Sequence, residues 1–255
     1  MGRKGDSQFN DKIQSESTLE QQRLIRQYVD AMKMRGYSRK TQKAYLGHIR
    51  RWFSWRCDRQ STQEDDEVKH FFLQLIDERK CSHSYVNQAI SALRLFWEEV
   101  LDERWSLQKI RRPKKITRLP QVLSEEEVAA LINSLTNLKH RSIMMLLYSA
   151  GLRVGEVVRL KAQDIDSSRM LVLIRSGKGA KDRVSLLSDV ALVMLRDYYR
   201  MYRPQKWLFP GAKAGRHITE RTVQKVFVQA KNRASIHKAA TVHSLRHSFA
   251  THLLE

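Results

Sequence analysis

The last residues of the chain, 243–255, read His243-Ser244-Leu245-Arg246-His247-Ser248-Phe249-Ala250-Thr251-His252-Leu253-Leu254-Glu255. Their spacing predicts a helix. His243 and Arg246 stand three apart, so they share one helical face, while His247 points elsewhere. A protic ring and a fixed cation are thereby aimed at the same place. His243, His247 and His252 at helical spacing raise the question of zinc, but no H-E-x-x-H pattern is present. His247 is expected to be a buried, hydrogen-bonded histidine. The pattern stops in mid-helix at Leu253 and Leu254, which is expected of a truncated chain rather than of a designed terminus.

Working upstream, two more places set a cation in an unusual frame. Arg153 lies in Ala150-Gly151-Leu152-Arg153-Val154-Gly155-Glu156, a glycine-bounded junction between two predicted helices. The first runs through Ile143, Met144, Leu147 and Tyr148 to Gly151, a natural residue just past a helix end. The second is expected over Val154 to Lys161. The period then changes. Met170–Ile174 and Val184–Leu187 are predicted strands, joined by the turn Ser176-Gly177-Lys178-Gly179-Ala180-Lys181. Lys178 stands at its tip. This is no phosphate-binding P-loop, because position 172 is Val and no Ser or Thr follows the lysine. Taken singly, each cation is ordinary: a lone arginine beside a helix end is more often a surface residue.

The remainder is helical. Ser124 and Glu127 form a predicted capping box ahead of Val128, Leu131, Ile132 and Leu135. Residues 188–202 and 219–234 are predicted helices. The first half carries four more. Residues 18–35 place Leu24, Tyr28 and Met32 on one face. Ser38 caps a helix with Tyr45, Ile49, Trp52 and Phe53. One from about Glu64 carries Val68, Phe71, Phe72, Leu75 and Ile76. One capped near Ser82 carries Val86, Ala89, Ile90, Leu93, Trp97 and Val100. These aromatic stripes are read as core. The organisation expected is a polar, disordered tail over 1–17, a helical domain over 18–103, a linker over 104–120 and a second domain over 121–255. The fold class is mainly α with a small β-hairpin.

The linker, RWSLQKIRRPKKITRLP, holds two prolines, seven Lys/Arg and no acid. Such a segment is extended and solvated. It reads either as a plain connector or as a strap along a phosphate backbone, where each neutralised phosphate adds salt-sensitive affinity. The strap is favoured because the whole chain shares the bias. Its 255 residues carry 47 Lys+Arg against 27 Asp+Glu, a formal net charge of +20. That excess opposes compaction unless a polyanion neutralises it, and nucleic acid is the first candidate. No run of about 18 apolar residues is present, so a membrane span is not expected. The N-terminus has no signal-peptide pattern. Cys57 and Cys81 make no disulfide framework, and a reducing cytoplasm is the compartment expected. Cys57, His70, Cys81 and His83 lack the paired spacing of a zinc site.

Together, the strings around Arg153, the Gly177-Lys178-Gly179 hairpin with Lys181-Asp182-Arg183, and HSLRHSFATHLLE resemble the tyrosine recombinase (phage integrase) family, which includes the Xer recombinases and integron integrases. The H-x-L-R-H-S/T-F-A-T pattern is the most specific of the three. The resemblance also takes in the N-terminal helices, the basic linker and Leu119-Pro120. Integron integrases carry an extra helical insertion for which residues 203–218 leave little room, so the phage or Xer-like branch fits better.

The resemblance implies a four-helix, SAM-like core-DNA-binding domain followed by a catalytic domain. It implies attack of a tyrosine on a DNA phosphodiester, giving a 3′-phosphotyrosine and a free 5′-hydroxyl, with no metal or other cofactor. Arg153 and Arg246 would clamp the non-bridging phosphate oxygens, Lys178 would protonate the leaving oxygen, and His243 would bind the phosphate or assist proton transfer. Glu156 and His247 would support them. Arg111, Arg112, Lys114, Lys115, Lys181 and Arg183 are the candidate DNA-backbone contacts. The implied partners are double-stranded DNA and, on it, further copies of the protein, in a tetrameric synapse.

The family's Leu-Gly-His motif and nucleophilic tyrosine are expected downstream of Arg246, yet the last tyrosine here is Tyr202. Tyr148 and Tyr198 are assigned to the helical core. Three possibilities therefore stand: part of a cutting recombinase, a DNA-binding module that occupies sites without cutting, and a generic basic RNA-binding protein. The last leaves the co-occurrence of the three motifs unexplained.

Overall fold

The computed structural model describes residues 5–57, 64–103, 121–175 and 182–255, with only the backbone course for 5–18 and 64–66. The chain divides into two units, Met1–Thr117 and Arg118–Glu255. Lys178, Lys181 and the linker cations Arg111, Arg112, Lys114 and Lys115 lie outside the described residues.

The first unit is built from α1 (Gly5–Met34), α2 (Arg39–Cys57), α3 (Glu64–Asp77) and α4 (His83–Val100). The backbone of α1 is helical from Gly5, upstream of the start expected at residue 18. Ser38 and Ser82 cap as their sequence positions predict, accepting from the backbone N–H of Thr41 and Tyr85. The predicted stripes meet in one core around Tyr28, Trp52, Phe71 and Phe96. Its aromatic rings pack largely edge to face, as at Trp52–Phe71 and Phe53–Phe96. Tyr28 buries its ring and donates its hydroxyl to the Ala92 carbonyl at 2.8 Å, so the one polar atom of that side chain is satisfied. Ile76 departs from expectation. It is 40% exposed, because Val68, Phe71, Phe72 and Leu75 already fill the inward arc of α3.

The second unit comprises α5 (Glu125–Asn133), α6 (Leu138–Ser149), α7 (Val154–Val157), β1 (Ile165–Asp166), β2 (Leu171–Ile174), β3 (Arg183–Leu186), α8 (Asp189–Tyr202), α9 (Glu220–Arg233) and α10 (Val242–His252). α6 is the hub, packed against α5, α7, α8, α9 and α10. Its Ile143, Met144, Leu146 and Leu147 are buried, which leaves little of its surface for solvent. The Ser124–Glu127 capping box forms as predicted. The strands make an antiparallel sheet in the order β1-β2-β3, with register Leu171↔Leu186 through Ile174↔Arg183. β1 was not predicted, and two residues are too few to show an alternation.

The helix expected over Val154–Lys161 is a single turn, α7, ending at Val157. The chain then bends so that the Leu160 carbonyl accepts from Leu208 N–H at 2.8 Å, and a 3₁₀ turn, Ala162–Asp164, leads into β1. Val154, Val157, Val158 and Leu160 are all buried. Their near-continuous run serves a buried turn, where a one-sided helix would have alternated with polar positions.

Candidate active site

Three guanidinium groups and one carboxylate organise the second unit. Ala150 ends α6 and Gly151 follows in the left-handed region at φ +55°, which turns the chain sharply toward α7. Arg153 is the residue before α7. Glu156, three residues on, reaches back: Oε2 accepts from the Arg153 backbone N–H at 2.8 Å and Oε1 accepts from Arg153 Nη1 at 2.8 Å. Glu156 Oε2 also accepts from Arg183 Nη2, at 2.7 Å, across from β3. The Glu156 side chain is only 3% exposed, while those of Arg153 and Arg183 are 41% and 33% exposed. Burial pushes the Glu156 carboxyl up, but the hydrogen bonds from Arg153 and Arg183 outweigh it, and the net shift is downward. Glu156 is therefore an anion that fixes two partly exposed guanidinium groups, of which Arg183 keeps its Nε buried.

Arg246 arrives from α10. Its Nη1 donates to the Gly151 carbonyl, two residues from Arg153. Its pKa is lowered, first by burial and then by the charges of Arg153 and Arg183, with Glu156 opposing. It remains a cation, as arginine does in proteins. Arg153 and Arg183 are thus near enough for each to repel Arg246.

The docking of α10 on the α6–α7 junction depends on residues outside the cation set. A Cβ on Gly151 would lie 2.4 Å from Phe249 Cδ1, so the ring of Phe249 occupies the space that glycine leaves. Ser248 is fully buried; its hydroxyl donates to Ser244 O at 2.9 Å and accepts from Leu123 N–H at 2.9 Å. It ties α10 to the start of the unit. Ser248→Ala leaves that N–H without a partner and is expected to destabilise the unit by about 1–3 kcal/mol. A chemical-denaturation midpoint measures it, and no shift would mean that the Leu123 N–H finds another acceptor.

His243 is exposed on the first turn of α10, on the outward side with Arg246. His247, expected to be buried and hydrogen-bonded, is exposed instead. Ser244, Leu245 and Ser248 take the inward arc of α10 and leave His247 outside it. Arg183, assigned from sequence to the DNA backbone, is a member of the guanidinium cluster through Glu156. The Arg153-x-x-Glu156 spacing, a capping-box interval, is the signal that could have revealed the carboxylate's role. Nothing in the sequence pairs Glu156 with Arg183. Tyr198 is buried and donates to the Leu208 carbonyl at 2.8 Å, as its core assignment requires. Tyr148, half-buried, shares a 2.9 Å hydrogen bond with His252 Nδ1.

Comparison with known proteins bears on this arrangement directly. The family model described as "Phage integrase family" matches residues 121–255, and that described as "Phage integrase, N-terminal SAM-like domain" matches 24–107. The chain belongs to the phage integrase family. Among integrase-family relatives, the Sinorhizobium fredii protein y4qK is 38% identical, over the whole of this chain and 82% of its own length. The tyrosine recombinase XerA of Pyrococcus horikoshii is 30% identical over 91% of this chain and 80% of its own. Among solved integrase structures, the lambda integrase tetramer bound to a Holliday junction matches with a TM-score of 0.70 at 18% identity. That match covers 90% of this chain and 68% of that one, and it speaks to the fold. The expected class, mainly helical with a small antiparallel sheet and a SAM-like first domain, is thereby the fold of this chain. Among the described residues no helix is long and apolar enough to cross a membrane.

Proposed function

We propose that this protein binds a DNA recombination site and holds the scissile phosphodiester between Arg153 and Arg246, for strand cleavage and rejoining through a 3′-phosphotyrosine. The observation that carries it is the convergence of Arg153, Arg183 and Arg246 around the single carboxylate of Glu156. Three like charges with one counter-charge are stable together when an anion completes the set. Both Arg153 and Arg246 keep donors free for it, and a planar guanidinium matches two phosphate oxygens at once.

In the transition state, negative charge grows on the non-bridging oxygens. Arg153 and Arg246 are held in place beforehand by Glu156 and by the Gly151 carbonyl, so they need no reorganisation as the charge develops. A preorganised donor of this kind is worth about 2.7–4 kcal/mol of barrier. A tyrosine that the family resemblance places downstream of Arg246, and not one of the tyrosines of this sequence, would bond its oxygen to phosphorus as the bond to the 5′-oxygen breaks. Lys178, in the hairpin turn, gives the leaving oxygen its proton. His243, exposed on the same side of α10 as Arg246, hydrogen-bonds the phosphate. The engagement of Tyr148 with His252 and of Tyr198 with Leu208 supports assigning neither as the nucleophile. The linker cations Arg111, Arg112, Lys114 and Lys115, with Lys181, contact the backbone of the duplex, on which several copies assemble.

Binding of a duplex should weaken steeply with salt. Arg153→Ala and Arg246→Ala should each flatten the slope of log K against log salt by about 0.9, the signature of one lost phosphate contact. Mobility shifts over a salt series measure this. Absence of binding at low salt would overturn the proposal. The same cluster also suits a protein that occupies sites without cutting them. A nicked suicide substrate, offered to a protein extended past residue 255 to include a downstream tyrosine, separates the two: a heat-stable covalent adduct marks cleavage, and a complex that dissociates on denaturation marks occupation alone.

A further inference from the structure

The β2–β3 hairpin is fastened at both feet by the same device. On the β3 side, Arg183 donates to Glu156 at 2.7 Å. On the β2 side, Arg175, the residue after the strand, donates through Nε to Asp164 Oδ1 at 2.8 Å. The two carboxylates are built alike. Each side chain is nearly sealed from solvent, at 3% for Glu156 and 4% for Asp164. Each accepts from the backbone N–H three residues earlier, Arg153 for Glu156 and Lys161 for Asp164, both at 2.8 Å. Both acids belong to the short stretch 153–164, so the two strand ends are held by one segment. Two residues further along β3, Ser185 Oγ donates to the Ala150 carbonyl at 2.7 Å. Among the described residues, Ile174 and Arg183 are the last pair of the ladder, so the clamps sit at that end of it.

The geometry is costly without a purpose. Two acids taken out of water need good partners, and apolar residues would secure a small sheet as well. What paired guanidinium forks add is direction: two separate anchor points fix both the height and the tilt of a hairpin, where one would leave it free to swing. One anchor, Glu156, is also the residue that orients Arg153.

We propose that Arg175 and Arg183 are positioning residues, two guanidinium–carboxylate clamps that lock both feet of the β2–β3 hairpin onto the 153–164 segment and register it against the Arg153–Arg246 cluster. The functional consequence rests on the phosphate-binding role proposed above. Arg183 then acts through Glu156 rather than as a contact to the DNA backbone.

Hydrogen exchange by mass spectrometry on the full chain tests the clamps without any ligand. Arg183→Ala should raise exchange at residues 183–186, and Arg175→Ala at 171–174, about tenfold or more, with α5 and α9 unchanged. Arg183→Lys, which keeps a charge opposite Glu156, should recover part of the protection. Arg183→Ala should add little to Glu156→Gln, since both disrupt the Arg183–Glu156 contact. The registering role is read by acylation of Lys178 with and without an oligonucleotide duplex. In the wild type the duplex should protect Lys178. In both alanine variants that protection should fall severalfold, while the salt slope of binding stays at the wild-type value. Unchanged exchange in both variants, or exchange raised equally throughout the unit, would overturn the clamps. A salt slope flattened by Arg183→Ala would return Arg183 to the DNA backbone and overturn its positioning role. A wild-type protein whose Lys178 no duplex protects refutes the phosphate-binding role of the hairpin, and the clamps then stand or fall on exchange alone.

Discussion

Gly151→Ala should destabilise the second unit by about 2–5 kcal/mol. Two costs add. A non-glycine residue at φ +55° pays about 1–2 kcal/mol for the left-handed conformation. The new methyl would also lie 2.4 Å from Phe249 Cδ1, an overlap that only a shift of the ring or of α10 can relieve, for a further ~1–3 kcal/mol. Because the Gly151 carbonyl also receives Arg246, moving α10 withdraws one guanidinium from the cluster. Loss of DNA affinity should therefore accompany the loss of stability. The double variant Gly151→Ala/Phe249→Ala gives a sharper check. It removes the overlap, so stability should recover relative to Phe249→Ala alone to within the backbone cost. A single Gly151→Ala variant that melts like the wild type would show that the ring does not pack on this glycine.

Glu156→Gln should cost about 2–4 kcal/mol. The carboxylate accepts three hydrogen bonds, two of them from guanidinium groups, and charge-assisted bonds are the strong ones. An amide keeps one acceptor oxygen and puts a donor against Arg153 or Arg183. The figure is held below that of a fully buried pair because both arginines are partly solvated and regain water when released. The pH dependence has a definite sign. The Glu156 carboxyl is depressed in the folded state, so its contribution is fully present above the unfolded carboxyl pKa of about 4.3 and is lost as pH falls through the folded value. The stability gap between wild type and Glu156→Gln should therefore be constant near neutrality and shrink in acid. Denaturation midpoints across that range measure it. A gap that widens in acid would mean that the carboxyl is protonated in the native state.

Both substitutions fall in the seven-residue string Ala150–Glu156, yet that string makes only part of their surroundings visible. Gly151 could be read as a helix-ending glycine, because its left-handed conformation is a local property of the chain end of α6. That its missing Cβ makes room for Phe249, ninety-odd residues later, is a packing fact, and no periodicity carries it. Arg153 and Arg246 were legible as candidates because family motifs mark them. Arg183 was legible only as one basic residue among many, and its contact with Glu156 appears only where β3 meets α7. His247 shows the converse: a histidine in an amphipathic helix is placed by which arc its neighbours occupy, and Ser244 and Ser248, both polar, took the inward one.

What the sequence determined by itself is whatever is encoded within a turn or two of chain. That includes the caps at Ser38, Ser82 and Ser124, the aromatic stripes of the first unit, the hairpin strands, the helix end at Gly151, and a basic excess that calls for a polyanion. What only the tertiary structure decided is which charges meet. Glu156 serves two arginines, one three residues before it and one 27 residues after it, Asp164 and Glu156 hold the two strands of one hairpin, and Arg246 closes on Gly151. The physical reason is range: hydrogen-bonded caps and side-chain periodicity act along the chain, whereas a buried carboxylate selects its partners by distance in space, which the order of residues does not record.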